Sequence, residues 1–132
     1  MNLSPQLRLH PVLFAVALLQ PVAGLAQPAT AQLPDALGAG WNGQTTCERL
    51  HEDAKVRILR CVFAPNVGHE RHFHAPHFIY VLSGGKVRVT TAAGTQELET
   101  KTGAGRMSPA IEWHEVLNVG ETTLSYLIVE PK

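Results

Sequence analysis

Gly68-His69-Glu70-Arg71-His72-Phe73-His74-Ala75-Pro76-His77-Phe78-Ile79-Tyr80-Val81-Leu82-Ser83-Gly84 is the stretch on which the reading of this chain turns. Four of the seven histidines of the 132-residue sequence fall within nine residues here, and the cluster runs straight into an apolar segment. Imidazole is the commonest metal ligand, so histidines crowded beside a strand point to a metal site first. His72 and His74 are two residues apart, which on a strand puts both rings on one face. Pro76 interrupts the alternation, so His77 opens the next strand without obeying simple parity. His114 follows forty residues after His74 and brings an imidazole from a distant strand, as in a site enclosed by a sheet.

Outward from this stretch the pattern is one of short strands. Thr45 to His51 and Val56 to Phe63 read as a hairpin through Glu52-Asp53-Ala54-Lys55. Phe78 to Leu82 is a buried strand by composition, and Ser83-Gly84-Gly85 reads as a turn. Lys86 to Thr91 alternates cleanly, with Val87 and Val89 on one face. Ala93-Gly94 turns, Thr95 to Thr100 returns, and Thr102-Gly103-Ala104-Gly105 turns again. His114 to Val119 and Thr122 to Glu130 are the last strands. Short strands between turn signals, with no helical period after the first residues, predict an all-β sandwich or barrel. The glycines sit at turns rather than in strand interiors, as this requires.

The N-terminal part differs. Arg8 is the only Lys or Arg in residues 1–26, and Val12 to Leu19 is an almost unbroken apolar run. Small residues follow at Ala23-Gly24-Leu25-Ala26. This is the layout of a cleaved secretory signal peptide over residues 1–26. The run is shorter than the roughly 20 apolar residues of a membrane span, so no stable membrane anchor is expected. Residues 27–43, rich in Ala, Pro, Gly and Gln, read as a linker or loose arm, with Trp41 as its one docking residue. Residues 44–132 are then the domain. Export implies a periplasmic or secreted protein and an oxidising setting. Cys47 and Cys61 are therefore either a disulfide across the hairpin, if its turn centres on Ala54, or two buried thiols. The formal net charge is zero, with no basic run, so no nucleic-acid partner is expected.

The two histidine segments resemble the paired motifs of cupins, the small RmlC-like jelly-roll barrels. The first cupin motif is Gly, five residues, His-x-His, three or four residues, Glu, six residues, Gly. Here Gly68 is followed by three residues, His72-x-His74, two residues, His77, six residues and Gly84. The second is Gly, five residues, Pro-x-Gly, two residues, His, three residues, Asn. Gly103, Pro109, His114 and Asn118 match it at every landmark but the inner glycine, which is Ile111 here. The resemblance spans residues 56–130 and implies a single cupin-type double-stranded β-helix. Carried over residue by residue, it implies the metal ligands His72, His74, His77 and His114. His77 stands where the family has a glutamate. Exchanging a carboxylate for an imidazole removes a negative charge and turns preference toward iron, nickel, copper or zinc. The expected cofactor is a divalent transition metal from the set Fe, Ni, Cu, Zn and Mn.

His69 is then a competing ligand or a rim group, and Glu70 and Glu112 are acids that can orient an imidazole. Trp113, next to His114, is expected on the outer face. The functions in play are a metal-dependent, dioxygenase-like enzyme acting on a small organic molecule and a non-catalytic metal- or small-ligand-binding module. No catalytic residue beyond the ligands is identifiable. Exposed sheet edges make a homodimer the expected assembly.

Overall fold

A computed structural model describes residues 32–132. The expected leader and the first residues of the arm lie outside the described residues. Eleven strands follow: β1 (Gly40–Trp41), β2 (Gln44–Thr45), β3 (Cys47–Glu52), β4 (Val56–Phe63), β5 (Gly68–His74), β6 (His77–Ser83), β7 (Gly85–Thr91), β8 (Gly94–Thr100), β9 (Gly105–Ser108), β10 (Ile111–Asn118) and β11 (Leu124–Pro131). The expectation of an all-β fold holds. No described helix is long and apolar enough to cross a membrane.

Two antiparallel sheets enclose the core. One runs β5-β10-β7-β8, the other β3-β4-β11-β6-β9, and β1-β2 form a small separate ribbon. Strand alternation selects what lies between the sheets. On β11, Leu124, Tyr126, Ile128 and Glu130 are buried in turn. Leu59, Cys61 and Phe63 do the same on β4, and Val81 and Val87 close the core from β6 and β7. The result is a jelly roll with an interior that both sheets line.

Ser83-Gly84-Gly85 is not a hairpin turn, because β6 and β7 belong to different sheets. The chain crosses between sheets there, and it passes so close to β8 that a Cβ on Gly84 would collide with the Thr100 carbonyl. Gly68 has the same reason to be glycine: a Cβ would strike the Val116 carbonyl and meet the Trp41 ring at 2.9 Å. Both end glycines of the opening stretch are thus points of close approach. The Thr102–Gly105 turn leads into β9, a short strand that the sequence, with Arg106 and Met107 in place of β-branched residues, does not announce.

The loose-arm reading of residues 27–43 does not describe their second half. Ala36 has no exposed surface and Ala39 is 3% exposed. Asp35 bridges to Phe73, and its carboxylate accepts from the Gly38 amide at 2.8 Å and from Arg57 at 2.6 Å. Small residues and one acid dock the segment, where composition alone suggested a linker.

Cys47 and Cys61 form a disulfide. Near the turn the hairpin pairs Glu52 with Arg57 and His51 with Ile58, a register that would set Cys47 against Val62. A bulge between Arg49 and His51 removes one step, so Arg49 meets Leu59 and Cys47 meets Cys61. Setting Leu50 aside as the extra residue is what brings the two sulfurs together.

Candidate metal centre

His72 on β5 and His114 on β10 are direct cross-strand partners. On one side of this pair, Val116 pairs with His69, so β5 carries one extra residue between His69 and His72. On the other side Ile111 pairs with His74, so the extra residue lies on β10, between Ile111 and His114. A bulge reverses parity beyond it. His69 therefore faces inward with His72 and His74, and all three are buried.

The rings converge. His72 Nε2 lies 3.0 Å from His74 Nε2 and 3.0 Å from His114 Nε2. Ligand nitrogens of all three lie within 4.8 Å of one another. The other ring nitrogens assign the protons. His72 Nδ1 donates to the Glu70 carbonyl at 2.6 Å, which leaves Nε2 with a lone pair. His74 Nδ1 is buried with no hydrogen-bond partner and faces the Glu130 carboxylate at 3.6 Å; a proton on Nδ1 leaves its Nε2 with a lone pair as well. Two lone pairs 3.0 Å apart repel unless a cation lies between them. Adjacent ligands on a metal with bonds of roughly 2.0–2.1 Å are about 3 Å apart, so the donor set fits an ion.

The three rings open onto a cavity of about 380 Å³ between the sheets. Its exposed lining is mostly apolar, from residues such as Ile79, Val87, Val89, Leu98 and Ile111, with Thr91, Gln96 and Thr100 among the polar ones. Neither a protein-family model nor a curated protein matches the sequence. Solved structures do match. A cupin domain from Bordetella pertussis Tohama I aligns with a TM-score of 0.62 at 18% identity, over 65% of this chain and 91% of that one. An RmlC-like cupin family protein with a double-stranded β-helix fold, from Methanocaldococcus jannaschii, aligns at 0.56 and 14% identity, over 70% and 87%. This chain has the cupin fold. The polyketide cyclase RemF from Streptomyces resistomycificus is similar at 0.51 and 24% identity, but over only 64% of this chain and 63% of that one.

Within this cupin fold the two sequence motifs take distinct roles. Asn118, fully buried, donates to the Phe63 and Thr122 carbonyls at 2.9 and 2.8 Å and accepts from the Gly120 amide at 2.9 Å. It ties loops together at the end of β10. Ile111, in place of the inner glycine, lines the cavity. Trp113 faces outward as expected, with the Arg71 guanidinium 3.8 Å above its ring.

His77 does not join the convergent three. It is buried and lines the cavity, but its Nδ1 donates to the Ala75 carbonyl at 2.9 Å and its ring stacks on His74 at 4.3 Å between centroids. These two contacts hold it parallel to His74 rather than pointed at the same centre. His69 is not on the rim either. It is 2% exposed, hydrogen-bonds the Ala36 carbonyl through Nε2 at 2.9 Å, and packs 3.8 Å from the His72 ring. Glu70 orients His72 through its backbone, while its carboxylate accepts from the Asn42 amide at 2.8 Å. Glu112 is exposed.

Glu130 is the residue that sequence reasoning missed. It is 5% exposed at the end of β11, on the inward parity of Leu124, Tyr126 and Ile128. Burial works to raise its pKa, but His74 and Arg57 outweigh burial and hold it below the ordinary carboxylate range. At 3.6 Å the His74 contact is too long for a hydrogen bond, so Arg57, at 2.6 Å, is the firm partner. Arg57 reaches Asp35 with its other arm, also at 2.6 Å. One line of charge thus runs from the docked N-terminal segment through Arg57 and Glu130 to His74. A charged residue on the buried face of a strand is the signal that marks Glu130 in the sequence.

His69, His72, His77 and His114 are held neutral. Burial, with repulsion from His69, His114 and His74, lowers His72 to about 2. His114 falls to about 3 and His69 to about 4, burial again leading. His77 is lowered for the same first reason. Neutral imidazole is the form that ligates, so His72 and His114 are ready for a cation without first shedding protons.

Proposed function

We propose that this cupin is a metal-dependent, dioxygenase-like enzyme acting on a small organic molecule. The observation that carries the reading is the meeting of His72, His74 and His114 at the end of a mainly apolar cavity between the sheets. Three protein ligands on one side of an ion leave positions for water and substrate. A bound transition ion supplies Lewis-acid polarisation and, if redox-active, a route for electrons. The chain's own part is to hold three imidazole nitrogens on one point, keep His72 and His114 unprotonated and exclude bulk water with Ile79, Val87, Val89 and Leu98. His77, stacked on His74 at the cavity wall, is a fourth ligand only if its ring turns.

Metal analysis of untagged protein, followed by oxygen consumption with catechols, thiols and β-dicarbonyls, tests this. Metal in the protein that is lost in His72→Ala and His114→Ala, together with oxygen uptake, supports it. Metal content indifferent to both substitutions sinks it. A full metal complement without turnover favours the second reading, a non-catalytic binding module. That reading is supported by the absence of any carboxylate among the described residues lining the cavity. The fold does not decide the reaction, as the cyclase name of RemF illustrates.

Export and homodimerisation belong to the same proposal. The 1–26 segment supports export, and the sheet edges at β8 and β9 support pairing. N-terminal sequencing of secreted material and light scattering test the two; an uncleaved start or a monomer rejects them.

A further inference from the structure

Arg106 stands alone among the arginines. Of the six in the described region, Arg49, Arg57, Arg60 and Arg88 have carboxylate partners and Arg71 lies on Trp113. Among the described residues no ion pair or hydrogen bond involves the Arg106 guanidinium. Its position follows from strand pairing. On β9, Ser108 sits opposite His77 and Arg106 opposite Ile79, and all four line the cavity. Met107 between them points out and is 64% exposed. Arg106 also lines the groove outside the cavity, so it occupies the mouth. A diagonal neighbour across paired strands is about 7–8 Å away, which puts Arg106 within reach of a ligand that touches His77.

A cation at the mouth of a mainly apolar cavity has a definite complement. The walls accept an apolar body and reject a second charge, and a planar fork of N–H donors matches a carboxylate. Glu99 and Lys101 line the outer groove but not the cavity, leaving Arg106, among the described residues, as the only charged side chain on the inner wall apart from histidine. We infer that Arg106 binds the carboxylate of a small organic acid whose apolar body fills the cavity toward His77 and His114. The inference rests on the small-molecule reading of the cavity proposed above, and it sharpens the substrate to a monocarboxylate.

Calorimetry with benzoate and its neutral isostere benzamide tests it, on the protein as isolated and after metal stripping. Benzoate should bind about tenfold more tightly or better, the scale of a charge-assisted hydrogen bond. Arg106→Gln should erase that preference while the thermal midpoint stays put, because the side chain has no partner to lose; Arg106→Lys should restore part of it. Equal binding of the two probes, a preference that survives Arg106→Gln, or no benzoate binding at millimolar concentration overturns the inference. Metal content is read in the same samples. Preference for benzoate in protein that never carries metal upholds Arg106 while the metal reading fails. A metal-loaded protein whose preference ignores Arg106→Gln and vanishes on stripping does the reverse.

Discussion

His74 presents its Nδ1 to the Glu130 carboxylate at 3.6 Å, and Arg57 grips the same carboxylate at 2.6 Å. The ligand set is all imidazole and carries no charge of its own. Glu130 supplies a negative charge one ring away from the centre, where it can make His74 a better donor without occupying a coordination position.

Glu130→Gln should therefore weaken metal binding by roughly 10–100-fold while leaving the fold intact, since glutamine still accepts from Arg57. Competition against a chromophoric chelator measures this. Unchanged affinity in a folded variant would reduce Glu130 to a structural partner of Arg57.

The histidines should separate into two groups on substitution. His72→Ala and His114→Ala should bring bound metal to background, whereas His77→Ala should retain it, because His77 lies outside the convergent three. Elemental analysis of the three variants decides, and loss of metal in His77→Ala would show that its ring turns inward on loading.

Acid should destabilise the metal-free protein in a defined window. The unfolded imidazoles bind protons near pH 6.5, whereas folded His69, His114 and His72 resist until about 4, 3 and 2. The unfolded state thus binds more protons throughout that interval, and stability falls as pH falls. Below about pH 4.5, Asp35 and Glu130, both with lowered pKa, add loss of the same sign. Urea midpoints should be flat above about pH 7 and drop steadily toward pH 4; a flat profile through that window would contradict the buried neutral cluster.

The disulfide closes a short loop, with its cysteines 14 residues apart, so reduction should cost about 3 kcal/mol. The register argument adds a sharper test. Deleting Leu50 should remove the bulge and pair Arg49 with Leu59 and Cys47 with Cys61 in a regular ladder, so the disulfide should still form, as read by alkylation and mass spectrometry. Two alkylatable thiols would mean that Leu50 is not the residue the bulge sets aside.

Much of this molecule is legible in its sequence, and the exceptions share a cause. Strand alternation and motif spacing place His72, His74 and His114 correctly, and the clean period of Leu124 to Glu130 even marks Glu130 as inward. His69 and Leu50 defeat the same reasoning because each depends on a bulge. One inserted residue leaves no mark in composition, yet it reverses parity for everything beyond it. β9 escapes notice because Arg106 and Met107 lack strand propensity, and its place is fixed by pairing with β6 instead. The docked half of the arm is hidden by small residues, which look the same in a linker and in a tight contact.

The guanidinium of Arg57 serves two masters, Asp35 in the N-terminal segment and Glu130 behind His74. Free-energy coupling is reciprocal: whatever strengthens one end of such a line must be returned at the other. A cation among the histidines draws on Glu130 and changes how firmly Arg57 can hold Asp35, so the segment from Asp35 to Gly43 becomes a reporter of the site. We expect limited proteolysis in that segment to proceed at different rates in loaded and stripped protein, and Arg57→Gln to abolish the difference. The first residues of the folded domain would then sense an ion they never touch.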